Sequence, residues 1–266
     1  MKNVKRYMRL YAVMIAQFFK TVMQSRVDFL MGLFGFFFTQ LSGIVFLYLV
    51  FEQIPDLQGW TLDQLIFIYG FAQIPRGIDH LLTDNLWLVA WRLVITGDFD
   101  RYMLRPMNVL FQVIAEKLQP DALGELLIGM ILVIRSVCAG TVSLTPLNIL
   151  LFVISMLAGA LIYTAIKIFF SSLAFWVKRS GPFLQLAYEL SNFAKYPTHI
   201  YNKGIEFLIT WVMPFAFVAY LPASYFLNMG NGFWVIGAEC AIALVFLLIS
   251  TAVFHKGICI YESAGN

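Results

Sequence analysis

Along this chain, polar residues punctuate long apolar runs instead of alternating with them. The clearest runs are Phe29–Val50, Ile149–Phe170, Phe207–Leu227 and Phe233–Phe254. Each is close to the roughly 20 apolar residues that an α-helix needs to cross the hydrocarbon layer of a bilayer. Two weaker segments extend the pattern: Leu62–Leu82, interrupted by Pro75, Arg76, Asp79 and His80, and Leu123–Thr141, which carries Arg135. Because the runs are continuous, they predict helices and disfavour a β-barrel, whose strands alternate apolar and polar positions. Ser180-Gly181-Pro182 is a strong helix breaker, and Tyr196-Pro197, Pro214 and Pro222 break the chain again further on.

The segment Phe183–Tyr225 admits two readings. Hydropathy alone makes Phe207–Leu227 the fifth span and leaves Phe183–Lys203 as a polar-faced cytoplasmic helix. The prolines suit another arrangement, in which Phe183–Tyr196 is a short fifth span and Ile205–Leu227 dips back as a broken element. Broken backbone at membrane depth is tolerated where it is buried in protein or lines a cavity.

Composition agrees with a membrane protein: 61% hydrophobic residues, 12% charged and 26 Phe, with a mean hydropathy of +0.80. The net charge of +3 matters less than its distribution. Lys2, Lys5, Arg6, Arg9, Lys20 and Arg26 precede the first span; Arg92, Arg101, Arg105 and Lys117 lie between the second and third. Lys178 and Arg179 follow the fourth, and Lys256 follows the last. The connections Glu52–Thr61, Val142–Pro146 and Asn228–Gly232 hold no Lys or Arg. The positive-inside rule then gives six crossings with both termini in the cytoplasm. The basic N-terminus is a topology signal, and no nucleic-acid partner is expected. Residues 1–26 read as an amphipathic helix in the inner headgroup layer, with Tyr7, Leu10, Tyr11 and Met14 toward lipid. Trp60, Trp87, Trp91, Trp176, Trp211 and Trp234 fall near the expected interfaces. Cys138, Cys240 and Cys259 are scattered and have no disulfide or metal spacing.

One polar island interrupts this pattern: Gly97-Asp98-Phe99-Asp100-Arg101-Tyr102-Met103-Leu104-Arg105-Pro106. Its charges cannot face lipid, so it must meet water or another protein. As a docking element it would offer Phe99, Tyr102 and Leu104 as exposed anchors beside Arg101 and Arg105. Within the spans, Arg76, Asp79 and His80 share a helix face through their i, i+3 and i+4 spacing. Glu189, Asn192 and Lys195 form another such series. Both series are candidates to line a translocation path, and an ion pair inside the bundle is an equal reading for the first. Lys167 is expected to snorkel to the inner headgroups. The chain has no Gly-Lys dipeptide, so it lacks a phosphate-cradling loop. It also lacks His-Glu-x-x-His and Gly-x-Ser-x-Gly, which argues against an enzyme in its own right. No cofactor or metal site and no catalytic residue is expected. None of the spans carries a Gly-x-x-x-Gly packing motif.

The run from Gly97 to Arg101 and on through Leu104-Arg105-Pro106-Met107-Asn108 resembles the Gly-x-x-Asp-x-x-Leu-x-Arg-Pro signature of ABC-2 type transporter permeases. Lys195-Tyr196-Pro197-Thr198-His199-Ile200-Tyr201 and Met213-Pro214-Phe215-Ala216-Phe217-Val218, with Leu221-Pro222-Ala223, fit the same family. The resemblance covers essentially the whole chain and says nothing of the cargo. It implies an all-α fold of six transmembrane helices over residues 1–266, a single domain that begins with the interfacial helix at 1–26. A cytoplasmic coupling region at 86–117 would receive the stroke of two ATP-binding subunits through Gly97, Asp98, Phe99, Asp100, Arg101, Leu104, Arg105 and Pro106. An outer re-entrant gate at 197–232, between spans five and six, would involve Tyr196, Pro197, Pro214 and Pro222. ATP and Mg would sit on those ATPases, and a second permease chain, expected to be a different subunit, would complete the path in the inner membrane of a bacterial-type cell. The competing reading is an ion-coupled secondary transporter in which Asp79, His80, Lys167 or Glu189 carries protons.

Overall fold

The computed structural model describes residues 26–143, 145–230 and 232–263. The interfacial helix expected at 1–26 therefore lies outside the described residues, apart from its last position. Among the described residues the chain is 78% helical and contains no strand. The longer helices are α1 (Arg26–Gln53), α2 (Leu62–Thr83), α3 (Val109–Glu116), α4 (Leu123–Cys138), α5 (Pro146–Ser172), α6 (Gly181–Ser191), α7 (Lys203–Phe207), α8 (Tyr220–Phe226) and α9 (Trp234–Ile260).

Local chemistry sets the ends. Thr61 accepts from the Gln64 amide while Gln64 reaches back to the Thr61 amide, a capping box that starts α2. Thr145 accepts from the Asn148 amide ahead of Pro146, a residue whose missing N–H costs nothing in a first turn. Asn108 caps α3 by accepting from the Phe111 amide at 3.0 Å.

Among the described residues, three helices are long and apolar enough to cross a membrane: Phe29–Gln53, Pro146–Val177 and Trp234–Ile260. A fourth unit, Lys203–Val212 with Phe215–Phe226, is bent by 73° at Met213-Pro214. Hydropathy joined these two pieces into one run, but the proline ring and its missing N–H divide them. The other proline break also falls where the sequence places it: α6 runs into a 3-10 turn at Asn192–Lys195 and stops before Pro197.

The layering inverts that of a soluble protein. The apolar helices α1 and α9 lie on the outside, with only 17% and 28% of their apolar windows buried. The most polar long helix, α2, is the central one and is buried almost continuously from Leu65 to Pro75. Hydrocarbon can wet Leu and Phe but not Asp or Arg, so the polar helix is the one that must be enclosed. Helix α2 lies along α4, α9 lies along α5, and α5 also touches α2.

Close approach of α2 and α4 depends on glycines on separate helices, which a search for Gly-x-x-x-Gly along one helix passes over. A Cβ on Gly70 would lie 2.7 Å from Leu132 Cβ and 3.1 Å from the Gly129 carbonyl. We predict that Gly70→Leu forces these helices apart and lowers stability by about 1–3 kcal/mol. A thermal-unfolding series in lipid nanodiscs that found no shift would contradict this contact.

One interfacial expectation is corrected. Trp60 is 4% exposed, and its indole donates to His199 Nε2 at 3.3 Å while its ring meets Tyr220 edge-on at 5.7 Å. It locks the α1–α2 connection to the segment after α6. Trp176, Trp211 and Trp234 are exposed, as an anchoring position requires.

Candidate functional site

The polar island is a compact knot with an exposed tip. A π-helical turn at Val89–Leu93 leads into it, and Gly97 adopts φ +75°, a left-handed conformation that suits glycine. The Phe99 amide then donates to the Leu93 carbonyl at 3.0 Å, which folds the chain back on itself. Asp100–Met103 forms one helical turn. The Tyr102 hydroxyl donates to Glu116, Arg101 pairs with the same carboxylate at 2.9 Å, and Gln112 donates to the carbonyls of Tyr102 and Met107 at 3.1 and 3.0 Å. Burial and the Glu116 bond push the Tyr102 phenol above its ordinary range, so it remains a donor. Gln112 and Glu116 therefore hold the island to α3, a role that no sequence motif marked.

The expected anchors divide into two groups. Phe99 and Tyr102 were expected at the surface, but both are fully buried. Phe99 packs on Phe175 at 5.0 Å and on Tyr261 at 5.2 Å between ring centroids. Phe175 in turn meets Phe254 at 5.5 Å. The island is thereby mounted on the chain just past α5 and on the end of α9. The Ser263 hydroxyl donates to Asp100, adding a tie from the C-terminal segment. Burial and the neighbouring Asp100 charge push the Tyr261 phenol up to about 12, so the phenol keeps its proton. What remains outside is the tip: Leu104 at 84% exposure, with Arg105 and Pro106 beside it. Asp98 is exposed as well and accepts from the Thr96 hydroxyl at 2.8 Å. The aromatic residues form the mount, and Leu104, Arg105 and Pro106 form the exposed face.

A second constellation lies inside the bundle. Lys167 Nζ is 2.9 Å from Asp79 Oδ2, and both side chains are 0% exposed. The Asp79 carboxylate also accepts from Thr83 at 2.6 Å, from Thr164 at 2.9 Å and from Tyr188. Lys167 further contacts Asp84 at 3.3 Å. The snorkelling expected for Lys167 is thus corrected: its amine is consumed by a carboxylate on α2 instead of reaching headgroups. One turn away, Glu125 on α4 gathers His80 at 3.1 Å, Arg76 at 3.7 Å and the Gln40 amide at 3.2 Å. Arg76 continues to Asn192 at 3.0 Å, and Asn192 to Glu189 at 3.2 Å. Lys195 lies over the Tyr69 ring at 5.0 Å.

The structure therefore joins two groups that the sequence held apart, Arg76-Asp79-His80 and Glu189-Asn192, and adds Lys167 and Glu125 to them. Each partner lies on a different helix, so no spacing rule could have paired them. Glu125 was legible only as one acid at the start of an apolar segment. Beside this network is a cavity of about 610 Å³ between α2, α3, α5 and α9, where Asp79, Thr83 and Thr164 interrupt walls of Leu, Ile and Phe.

The expected gate residues are drawn into the fold. Pro197, Pro214 and Pro222 are buried and Tyr196 is partly buried. His199 sits between Trp60 and the Tyr220 hydroxyl, 3.3 Å from each. Among the described residues, no group of three His, Cys, Asp or Glu side chains is placed to hold a metal ion.

A family model described as an ABC-2 family transporter protein matches residues 37–265 of the chain. None of the curated proteins matches it.

Proposed function

The chain belongs to the ABC-2 family of transporter proteins, and from that premise we propose that it is the membrane half of an ATP-driven exporter. In the family a permease is a transport component and is not itself the catalyst. Here it would cross the inner membrane six times with both termini in the cytoplasm, counting α1, α2, α4, α5, α6 with its 3-10 extension, and α9. The segment 197–232 would re-enter from the outer side. A second permease, a different chain, would face this one across the path, and two cytoplasmic ATP-binding subunits carrying ATP and Mg would dock beneath the pair.

The observation that carries this reading is the build of the island. Its exposed tip of Leu104, Arg105 and Pro106 stands on a buried aromatic mount shared with Phe175, Phe254 and Tyr261. A force on the tip passes through packed rings to the ends of α5 and α9, because close-packed side chains transmit displacement instead of absorbing it. A solvated loop would need no such mount.

Arg105→Ala and Asp100→Ala are each expected to cut substrate-stimulated ATP hydrolysis toward the basal rate in the assembled complex, with membrane insertion unchanged. Normal stimulation in both variants would remove the coupling assignment. Transport that persisted in ATP-depleted, proton-energised vesicles would instead favour ion coupling through Asp79, His80, Lys167 or Glu189.

A further inference from the structure

Glu239 is the one acid of α9, one turn past the helix start, and it is 0% exposed. The Ser155 hydroxyl of α5 donates to its Oε2 at 2.6 Å, and its Oε1 has no hydrogen-bond partner. Among the described residues no Lys, Arg or His forms an ion pair with it. This is unlike Asp79 and Glu125, which face Lys167 and Arg76. Its surroundings are specific. A Cβ placed on Gly159 would lie 3.3 Å from Glu239 Oε1, 3.0 Å from Pro75 Cβ and 3.2 Å from Val218 Cγ1. The carboxyl therefore sits where α2, α5, α9 and the broken segment after Pro214 converge.

An isolated carboxylate in an apolar site costs many kcal/mol, and such a group takes up a proton instead. The titratable groups on the packed elements do not change this. Arg76 and His80 on α2 are held by Glu125, and Asp79 on α2 is paired with Lys167 on α5. Tyr163 on α5 packs against Tyr188 and Phe215, and Cys240 is the neighbour on α9 itself. Met213–Ala219 contains no titratable side chain. The free N–H groups of the α9 start are confined to its first turn, so the helix end offers no compensating donor at Glu239.

We propose that Glu239 is a proton-binding site whose occupancy is tied to the position of the segment around Val218. In the packed arrangement the carboxyl is neutral. Withdrawal of the segment lets water reach Oε1, and the proton passes to that water. The ionised carboxylate then disfavours repacking, so opening is favoured as pH rises. This device is separate from the ATPase-facing tip and does not depend on it.

The test uses the full chain in lipid nanodiscs, where both membrane faces are accessible. Wild type is expected to show the infrared carbonyl stretch of a neutral carboxylic acid, absent from Glu239→Gln. An apolar carbodiimide, which attacks protonated carboxyls, is expected to modify Glu239. If the Gln variant fails to fold, this reaction reads the protonation state of wild type directly. Coupling is read by the labelling of Val218→Cys with a hydrophilic maleimide. Cys240 and Cys259 are replaced by Ala, and the exposed Cys138 serves as an internal reference that cancels thiol ionisation. The normalised rate is expected to rise with pH, by up to about tenfold per unit for one proton, and to be flat when Glu239→Gln is added. An unmodified Glu239 with no neutral-acid band would overturn the protonation assignment. A normalised rate that rises equally in both backgrounds would overturn the coupling.

Discussion

Replacing Lys167 with Met is expected to destabilise the folded chain by about 3–5 kcal/mol, the usual cost of leaving half of a buried ion pair behind. The Asp79 carboxylate would keep its donors from Thr83, Thr164 and Tyr188 but would lose the one ammonium in contact with it among the described residues. Asp84 cannot compensate, since it is itself an acid. The double variant Asp79→Asn with Lys167→Met should recover most of the loss. Removing both charges also removes their desolvation penalty, and such replacements are commonly neutral or stabilising by 1–4 kcal/mol. A double-mutant cycle on thermal unfolding in nanodiscs separates the pair from its surroundings. Additive effects of the two substitutions would show that the contact carries no coupling energy. That result would return Lys167 to a headgroup-facing role.

Phe99→Ala should produce the other large effect, about 3–5 kcal/mol for removing a fully buried phenyl ring. The ring packs edge-on against Phe175 and Tyr261 and at a tilt against Tyr102, so its loss opens a cavity at the joint between the island and the ends of α5 and α9. Amide exchange across 97–108 and a thermal melt report the loosening. Leu104→Ala provides the contrast, because Leu104 is 84% exposed and buries almost nothing within this chain. It should melt like wild type and yet lower the amount of ATPase subunit recovered with the complex. If Phe99→Ala left exchange unchanged while Leu104→Ala shifted the melt, the division into mount and contact face would be reversed.

The two residues also show how far the sequence could be read. Both belong to one visible polar island, and its place between apolar segments marked it as a stretch that must meet water or another protein. Its inner and outer faces were not visible, because Phe99, Tyr102 and Leu104 are all apolar or aromatic and the local spacing does not order them. Burial of Phe99 follows from Phe175 and Tyr261, which are 76 and 162 positions further along the chain. Lys167 posed the same difficulty. A lysine in an apolar helix has two ways to satisfy its charge, a headgroup or a carboxylate, and only the position of α2 against α5 decides between them. Trp60 was read as an interfacial anchor by the same kind of average preference, and the proximity of His199 and Tyr220 packs its ring inside the chain.

What the sequence determined by itself was everything set by solvent and by single-helix chemistry. Long apolar runs dictate helices that lipid can surround, prolines at 197 and 214 dictate where helices stop, and missing phosphate and metal motifs narrow the chemistry. The run from Gly97 through Asp100 to Leu104-Arg105-Pro106 carried the resemblance to the family, with Met103 where the family pattern has Leu. Tertiary structure alone decided which charges meet, which glycines let helices touch, and which side of the island stays exposed. It also exposed Glu239 as an acid that meets no cation among the described residues. Those outcomes depend on contacts between residues tens to hundreds of positions apart. A one-dimensional pattern carries the period of a helix, but not the rotation and depth at which two helices are packed together.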